Sequence, residues 1–303
     1  VTDTYTHGHG AAVLSNHATR TAADSLSVVL PHLSATSRVL DVGCGPGSIT
    51  LDLASMIAGL GGAASQVTGV ENTPEPLREA RAAAASRGIG ARFVPGDAYH
   101  LPFRSGEFDV VVAHQVLQHL TDPVAALTEM LRVAAPGGLV AVRDADYAGM
   151  FFHPAPAGLL EWQSRYRSVA RGNGAQPDAA RRLVDWALAA GCTPDQLSFS
   201  CSTWVYAHAT TAVAGDAAWL AGSWIRRTGE ERYRDQLAAI LADGGGDGDG
   251  RAAAEAAVRR ITEGWMEWAE DPSATFVMPH GELLIRVGGP VSASGEQYSE
   301  QQF

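Results

Sequence analysis

The turn Asp41-Val42-Gly43-Cys44-Gly45-Pro46-Gly47 follows a short apolar run, Arg38–Gly43, and leads into a helical stretch. Glycines at 43, 45 and 47 let the backbone turn sharply and let a ligand lie close against it. A turn of this kind serves either as a bare strand–helix junction or as a ligand cradle. The dinucleotide fingerprint G-x-G-x-x-G is not met, because the residue three after Gly45 is Ser48. Pro46 also lacks the amide hydrogen that a pyrophosphate cradle would use. The turn suits a ligand with less phosphate. Glu71 ends a second apolar run, Gln66–Glu71, where a carboxylate can accept both hydroxyls of a ribose lying across strand ends. Asp97 and Ala98 follow a third run and are placed to meet an adenine edge. The segment Phe108–Pro123 brings His114 and His119 to the carboxyl end of a fourth strand, where open α/β sheets bind ligands.

The elements that must position these residues alternate. Strands are expected at Arg38–Gly43, Gln66–Glu71, Ala91–Val94, Phe108–Ala113 and Leu139–Arg143. Between them lie a helix over Ser48–Gly59 and one opened by Thr73-Pro74 that stops near Gly88. A third is opened by Asp122-Pro123 and ends at Pro136-Gly137-Gly138. Strands separated by helices argue for βαβ units and a doubly wound parallel sheet. After about residue 145 helices predominate, at roughly 156–171, 177–190, 209–228, 230–242 and 251–269. Two strands interrupt them, at Leu197–Tyr206 and Thr275–Val287. All seven tryptophans fall in this half. Asp243–Gly250 reads as a flexible connector. As a calcium loop it fails on spacing, since Gly250 as turn glycine puts Gly245 first and Ala256 last among the ligands.

Composition narrows the class. The chain has 303 residues, 46% hydrophobic and 18% charged, enough for one large core or a core with an accessory subdomain. Acidic residues number 33 against 22 basic, giving −11 at pH 7. Such a surface repels nucleic acid and anionic lipid. Every basic residue is Arg, which excludes a Schiff-base lysine and the lysine of a P-loop. Cys44, Cys192 and Cys201 have no metal-ligand spacing and suit a reducing compartment. No apolar run reaches membrane-spanning length and the start lacks a signal-peptide pattern, so a cytoplasmic protein is expected. His7 and His9 supply two ligands without a convincing third, so no metal is expected.

The series VLDVGCGPG, VTGVE, GDAYHLPF, FDVVVAHQVLQHLTDP and LRVAAPGGLVAV resembles the class I S-adenosylmethionine-dependent methyltransferases. Within them it is most similar to the ubiquinone/menaquinone-type branch that methylates small molecules. The motifs cover about residues 38–143. More weakly, the start YTHGHGAAVLSNHATR and the end FVMPHGELLIRV resemble bacterial enzymes of this branch acting on specialised metabolites. The resemblance implies a Rossmann-like seven-stranded sheet with an N-terminal closing helix and a helical lid. It divides the chain into an N-terminal helical cap (1–33), a cofactor-binding core (34–147), and helices with strand six (148–206). A helical lid (207–272) and strand seven with a C-terminal tail (273–303) follow.

The same resemblance implies that the cofactor is S-adenosylmethionine, leaving as S-adenosylhomocysteine. The backbone around Asp41, Gly43, Gly45 and Gly47 would meet its methionine part, Glu71 its ribose, Asp97 and Ala98 its adenine. Asn72 stands beside Glu71, and His114 would lie under the methionine moiety. Tyr5 or Arg20 would approach its carboxylate and amine. If strand seven runs antiparallel beside strand five, acceptor-site candidates are Asp144 and Tyr147 after strand five, with His153 further on. Tyr206 after strand six and Phe276 and His280 entering strand seven complete them. The tryptophans either line an apolar acceptor pocket or pack the lid against the core. His119, His153 and His280 are candidate bases, with Asp144 as a further catalytic candidate, and His119 reads equally as a structural hydrogen-bonder at a helix start. The partner is a small-molecule acceptor, with a homodimer as the oligomeric expectation. A non-methylating enzyme on the same scaffold, a decarboxylase or cyclase, is the alternative. A nicotinamide dehydrogenase and a non-catalytic cofactor-binding regulator are further readings.

Overall fold

A computed structural model describes residues 20–208, 216–243 and 249–288. Tyr5, His7 and His9 lie outside them. Each βα unit begins where an apolar run meets a turn signal. β1 (Val39–Val42) is buried along its length and feeds the glycine turn. α2 (Ser48–Gly59) starts after Gly47, whose φ of 81° is open to glycine and strained for other residues. The helix preceding it, α1, is short (Ala22–Ser25) and is capped by Thr21, whose hydroxyl accepts from the Asp24 amide.

β2 (Val67–Glu71) and α3 (Pro74–Arg87) follow, the helix closing on Gly88 in the left-handed conformation. β3 (Arg92–Pro95) and β4 (Phe108–His114) precede α4 (Pro123–Val133), which Asp122 caps by accepting from the Ala125 amide. β5 (Ala134–Ala145) is longer than its apolar run, because residues on either side of Gly137 extend it through an irregular register against β4. β6 (Phe151–His153), α5 (Ala157–Gly172), α6 (Leu183–Ala189) and β7 (Leu197–Ala207) come next. The described part ends with α7 (Ala217–Gly229), α8 (Glu231–Asp243), α9 (Gly250–Glu270) and β8 (Thr275–Arg286).

The sheet has eight strands rather than the seven expected. β1 to β5 are parallel in the order 3-2-1-4-5, and β8 runs antiparallel beside β5. β7 pairs with β8 over residues 275–285, occupying one edge of that strand. β5 and β6 must therefore share its other edge, β5 against 280–286 and β6 against 275–277. The additional strand is thus a short continuation of the fifth after a turn at residues 146–150, too brief to leave a periodic signature in the sequence.

Four apolar groups build the core, the smallest of them (Leu51, Leu77, Ala80 and Phe93) between α2, α3 and β3. Val39, Val67, Val110, Val112 and Ala141 face α1 and α2. Leu40, Val111, Val140 and Leu283 face α4 and α6 on the opposite side. A third group, rich in aromatics, joins α5, α7, α8 and α9 to β8.

Candidate active site

A cavity of about 440 Å³ opens where β1, β2 and β4 end. Its size matches a single small-molecule ligand. The glycine turn forms its floor. The amide of Gly43 donates to the Val70 carbonyl (2.8 Å), bending the turn against β2. A Cβ on Gly45 would meet no protein atom within 4 Å although Gly45 lines the cavity, so its flank is kept open. Gly47 differs: a Cβ there would stand 2.8 Å from the Phe93 ring and 2.9 Å from Ala80. It lies outside the lining and permits close packing of α2 on α3.

Glu71 reaches from β2 to the turn, accepting from the amides of Gly45 (3.2 Å) and Thr73 (2.9 Å). Asn72, Gly96 and Ala98 continue the wall. Asp97 does not line it; its carboxylate accepts from the Tyr99 amide (3.0 Å) at the rim. Asp41 lies at the back, fully enclosed, with the Thr50 hydroxyl donating to it at 2.6 Å. Burial pushes its carboxyl up to about 7; the Thr50 bond opposes this and neighbouring Glu71 adds to it. Burial likewise raises the Cys44 thiol well above its ordinary range, so a thiolate nucleophile is not supplied here.

His114 and His119 both line the cavity, as does Arg20 from the segment before α1. The His119 Nε2 meets the Gln118 amide at 3.0 Å. Gln115 stands between them with a φ of 55°, a conformation rarely adopted by a side-chain-bearing residue and one that concentrates at functional sites. Its carbonyl oxygen Oε1 accepts from Arg20 (2.8 Å), and its Nε2 donates to His280 Nε2 (2.8 Å). The other ring nitrogen of His280 donates to the Met278 carbonyl (3.1 Å). His280 therefore sits behind the cavity wall as a neutral ring. Burial, with Arg143 and Arg20 nearby, holds its pKa well below the usual histidine range.

The remaining candidates lie elsewhere. Asp144 is buried on the far side of its strand from Arg143 and accepts from the Gln118 amide (3.0 Å), bracing the turn that carries His119. Burial pushes its carboxyl up to about 7. Tyr147 and Phe276 belong to the aromatic core, Tyr147 with its ring 4.5 Å from Tyr166 and Phe276 amid Trp162, Trp265 and Trp268. Tyr206 stacks on Trp219 (5.9 Å) and borders Phe276. His153 lies in β6, exposed, its carbonyl accepting from the Trp268 indole. Among the described residues no group of three His, Cys, Asp or Glu side chains is placed to hold a metal ion.

Of the tryptophans, Trp162, Trp265 and Trp268 are fully buried in edge-to-face contacts within the aromatic core group that joins α5, α7, α8 and α9 to β8. Trp204 is the one beside the site, 5.6 Å from the His114 ring and 4.6 Å from His280. Trp204, Gln115, Arg143 and the α8 residue Arg232, which lines the cavity, carry no motif in the sequence that marks them. Gln115 sits inside the quoted motif, but a left-handed backbone at glutamine leaves no compositional mark.

The profile of the methyltransferase-domain family matches residues 33–188, just over half of the chain. The chain belongs to the class I S-adenosylmethionine-dependent methyltransferases. An uncharacterized methyltransferase of Schizosaccharomyces pombe is 32% identical over 93% of this chain and 96% of its own length. Two further relatives overlap over a smaller share of the chain. A demethylmenaquinone methyltransferase of Thermus thermophilus is 36% identical over 42% of this chain and 52% of its own. A 27-O-demethylrifamycin SV methyltransferase of Amycolatopsis mediterranei is 32% identical over 51% and 53%. In fold, the YcgJ protein of Bacillus subtilis superposes with a TM-score of 0.52 at 18% identity, covering 87% of this chain and 98% of its own. The methyltransferase's cofactor is S-adenosylmethionine. The cavity fits it: an open flank at Gly45, a carboxylate at the tip of β2 and a small residue at Ala98 are what a nucleoside with an amino-acid tail requires.

Proposed function

We propose that this methyltransferase transfers the methyl group to a small, largely apolar or aromatic metabolite. The observation that carries the reading is the convergence of the glycine turn, Glu71, Ala98 and His114 on one cavity whose far wall, at Gln115 and His114, abuts Trp204. The relatives' names support the acceptor class, since demethylmenaquinone and 27-O-demethylrifamycin SV are both small molecules.

In this reading Glu71 accepts the ribose hydroxyls, Ala98 with Asp97 at the rim flanks the adenine, and the turn from Asp41 to Gly45 backs the amino-acid portion. Arg20 meets the carboxylate, and His114 lies beneath the methionine chain. When bound, the cofactor supplies a methyl already activated on a sulfonium. The protein's task is then alignment and exclusion of water more than acid–base chemistry. Where the acceptor must lose a proton, His119 is the cavity-lining candidate, because the His280 ring is engaged at both nitrogens. The helices of 207–272 act as a cap, with Arg232 reaching the cavity from α8.

Incubation with S-adenosylmethionine and a panel of phenolic, quinol and enol metabolites, reading S-adenosylhomocysteine, tests the proposal. Acceptor-dependent product is expected. Tight S-adenosylhomocysteine binding with product from none of the panel, but from a peptide or nucleic acid, would overturn it.

A further inference from the structure

Arg143 is an arginine in the middle of a sheet. Its side chain is 1% exposed, and β5 places it beside His114 on the face that carries α1. Its Nε donates to Glu282 Oε1 and to the Ser202 hydroxyl, both at 3.1 Å. Ser202 and Ser200 in turn donate to Glu282 (2.6 and 3.2 Å), so the carboxylate is well supplied. The two terminal nitrogens of Arg143 are buried with no hydrogen-bond partner among the described residues. Guanidinium donors left dry and unpaired are costly, and stacking on an aromatic face offsets only part of that cost. The guanidinium carbon lies 5.0 Å from the centre of the Trp204 ring, and that of Arg20 lies 5.4 Å from the same ring. Arg20, Gln115 and His114 form the wall between this cluster and the cofactor cavity.

A planar aromatic surface flanked by two guanidiniums, one with unused donors, matches an aromatic or conjugated acid. A carboxylate takes two parallel N–H bonds from one guanidinium, and a ring stacks on the indole. The Trp204 indole donates to the Asp24 carbonyl (3.4 Å), so α1 and Arg20 lie over the cluster and must shift to admit a ligand. Resting on the methyl-transfer reading above, we infer that the acceptor carries a carboxylate bound by the Arg143 terminal nitrogens beside Trp204, which sets its reactive atom toward His114 and the methyl. The sulfonium adds positive charge next to this site, which further favours an anionic acceptor over a neutral one.

The probes are benzoate and benzamide, equal in ring and shape but not in charge, titrated calorimetrically into the full chain loaded with S-adenosylhomocysteine. Benzoate is expected to bind about 10- to 100-fold more tightly than benzamide. Arg143→Gln should erase the difference and Arg143→Lys should keep part of it, while S-adenosylhomocysteine affinity stays within about threefold of the parent. Should Arg143→Gln fail to fold, the parent comparison and Arg143→Lys decide. Equal affinities for the two probes, or binding of neither, would overturn the inference. So would a folded Arg143→Lys variant that no longer binds S-adenosylhomocysteine, because the residue would then serve the cofactor. Failure of S-adenosylhomocysteine to bind the parent protein would instead strike the cofactor site itself.

Discussion

Replacing Glu71 with alanine separates the carboxylate's two duties, to the turn and to the cofactor. Its oxygens accept from the Gly45 and Thr73 amides, the first at 3.2 Å and therefore weak. The side chain is half-buried, so water can take over both amides in the variant, and the loss of stability should stay near about 1 kcal/mol. Toward the cofactor the loss is larger. Two charge-assisted bonds to ribose hydroxyls are each worth about 1.5–3 kcal/mol, and partial replacement by solvent leaves a net of about 2–4 kcal/mol. That is a rise of roughly 30- to 1000-fold in Kd for S-adenosylhomocysteine. Glu71→Gln keeps an oxygen for one amide while removing the charge, and should fall between the parent and alanine. Calorimetric titration, with thermal unfolding to verify the fold, measures both effects. A folded Glu71→Ala protein that binds S-adenosylhomocysteine as tightly as the parent would refute the assignment of the ribose to this carboxylate.

The two glycines of the turn should part company. Gly45→Ala costs about 1–2 kcal/mol in left-handed strain but weakens cofactor binding as well, whereas Gly47→Ala clashes with Phe93 and Ala80 and acts mainly on stability; unfolding curves and calorimetry on both variants check this. Asp41 and Asp144 each have a folded pKa near 7, above the unfolded value of 3.8, so the native state holds protons that the unfolded state has released between those values. Stability should accordingly fall as pH rises through that window, by up to about 1.4 kcal/mol per pH unit for each group, and level off above it. Denaturant unfolding of Asp144→Asn across the window should show a shallower slope than the parent. Trp162→Ala should destabilise by about 3–5 kcal/mol because its ring is enclosed by Trp224, Trp265 and Phe276. A much smaller loss on chemical denaturation would mean that the aromatic core joining α5, α7, α8 and α9 to β8 packs loosely.

Much of this fold was legible because buried parallel strands and their turns carry strong local signals. The apolar run ending at Val42 and the Thr73-Pro74 and Asp122-Pro123 helix starts appear where the sequence places them, and β8 lies antiparallel beside β5 as the family resemblance implies. The motif-borne residues Gly45, Glu71, Ala98 and His114 come together for the same reason: each ends a strand or follows one, and strand ends share an edge. Residues past 145 were harder to place. Which aromatic lines a pocket and which fills a core depends on how helices pack, and Tyr147, Phe276 and most of the tryptophans went to the core. Arg143 was hidden by its surroundings in sequence, where a charged residue at a strand end reads as a surface residue. Its burial becomes visible only when β8 and β7 bring Glu282 and Ser202 across to meet it.

A structure determined with S-adenosylhomocysteine bound would show whether Glu71, Ala98 and the Gly43–Gly45 turn together hold the cofactor. The ribose hydroxyls are expected within hydrogen-bonding distance of Glu71, the adenine beside Ala98, and the homocysteine chain along the Gly43–Gly45 turn with its carboxylate toward Arg20. A ligand seated outside this cavity, or one whose ribose is held by another residue while Glu71 still grips only the turn, would contradict this arrangement.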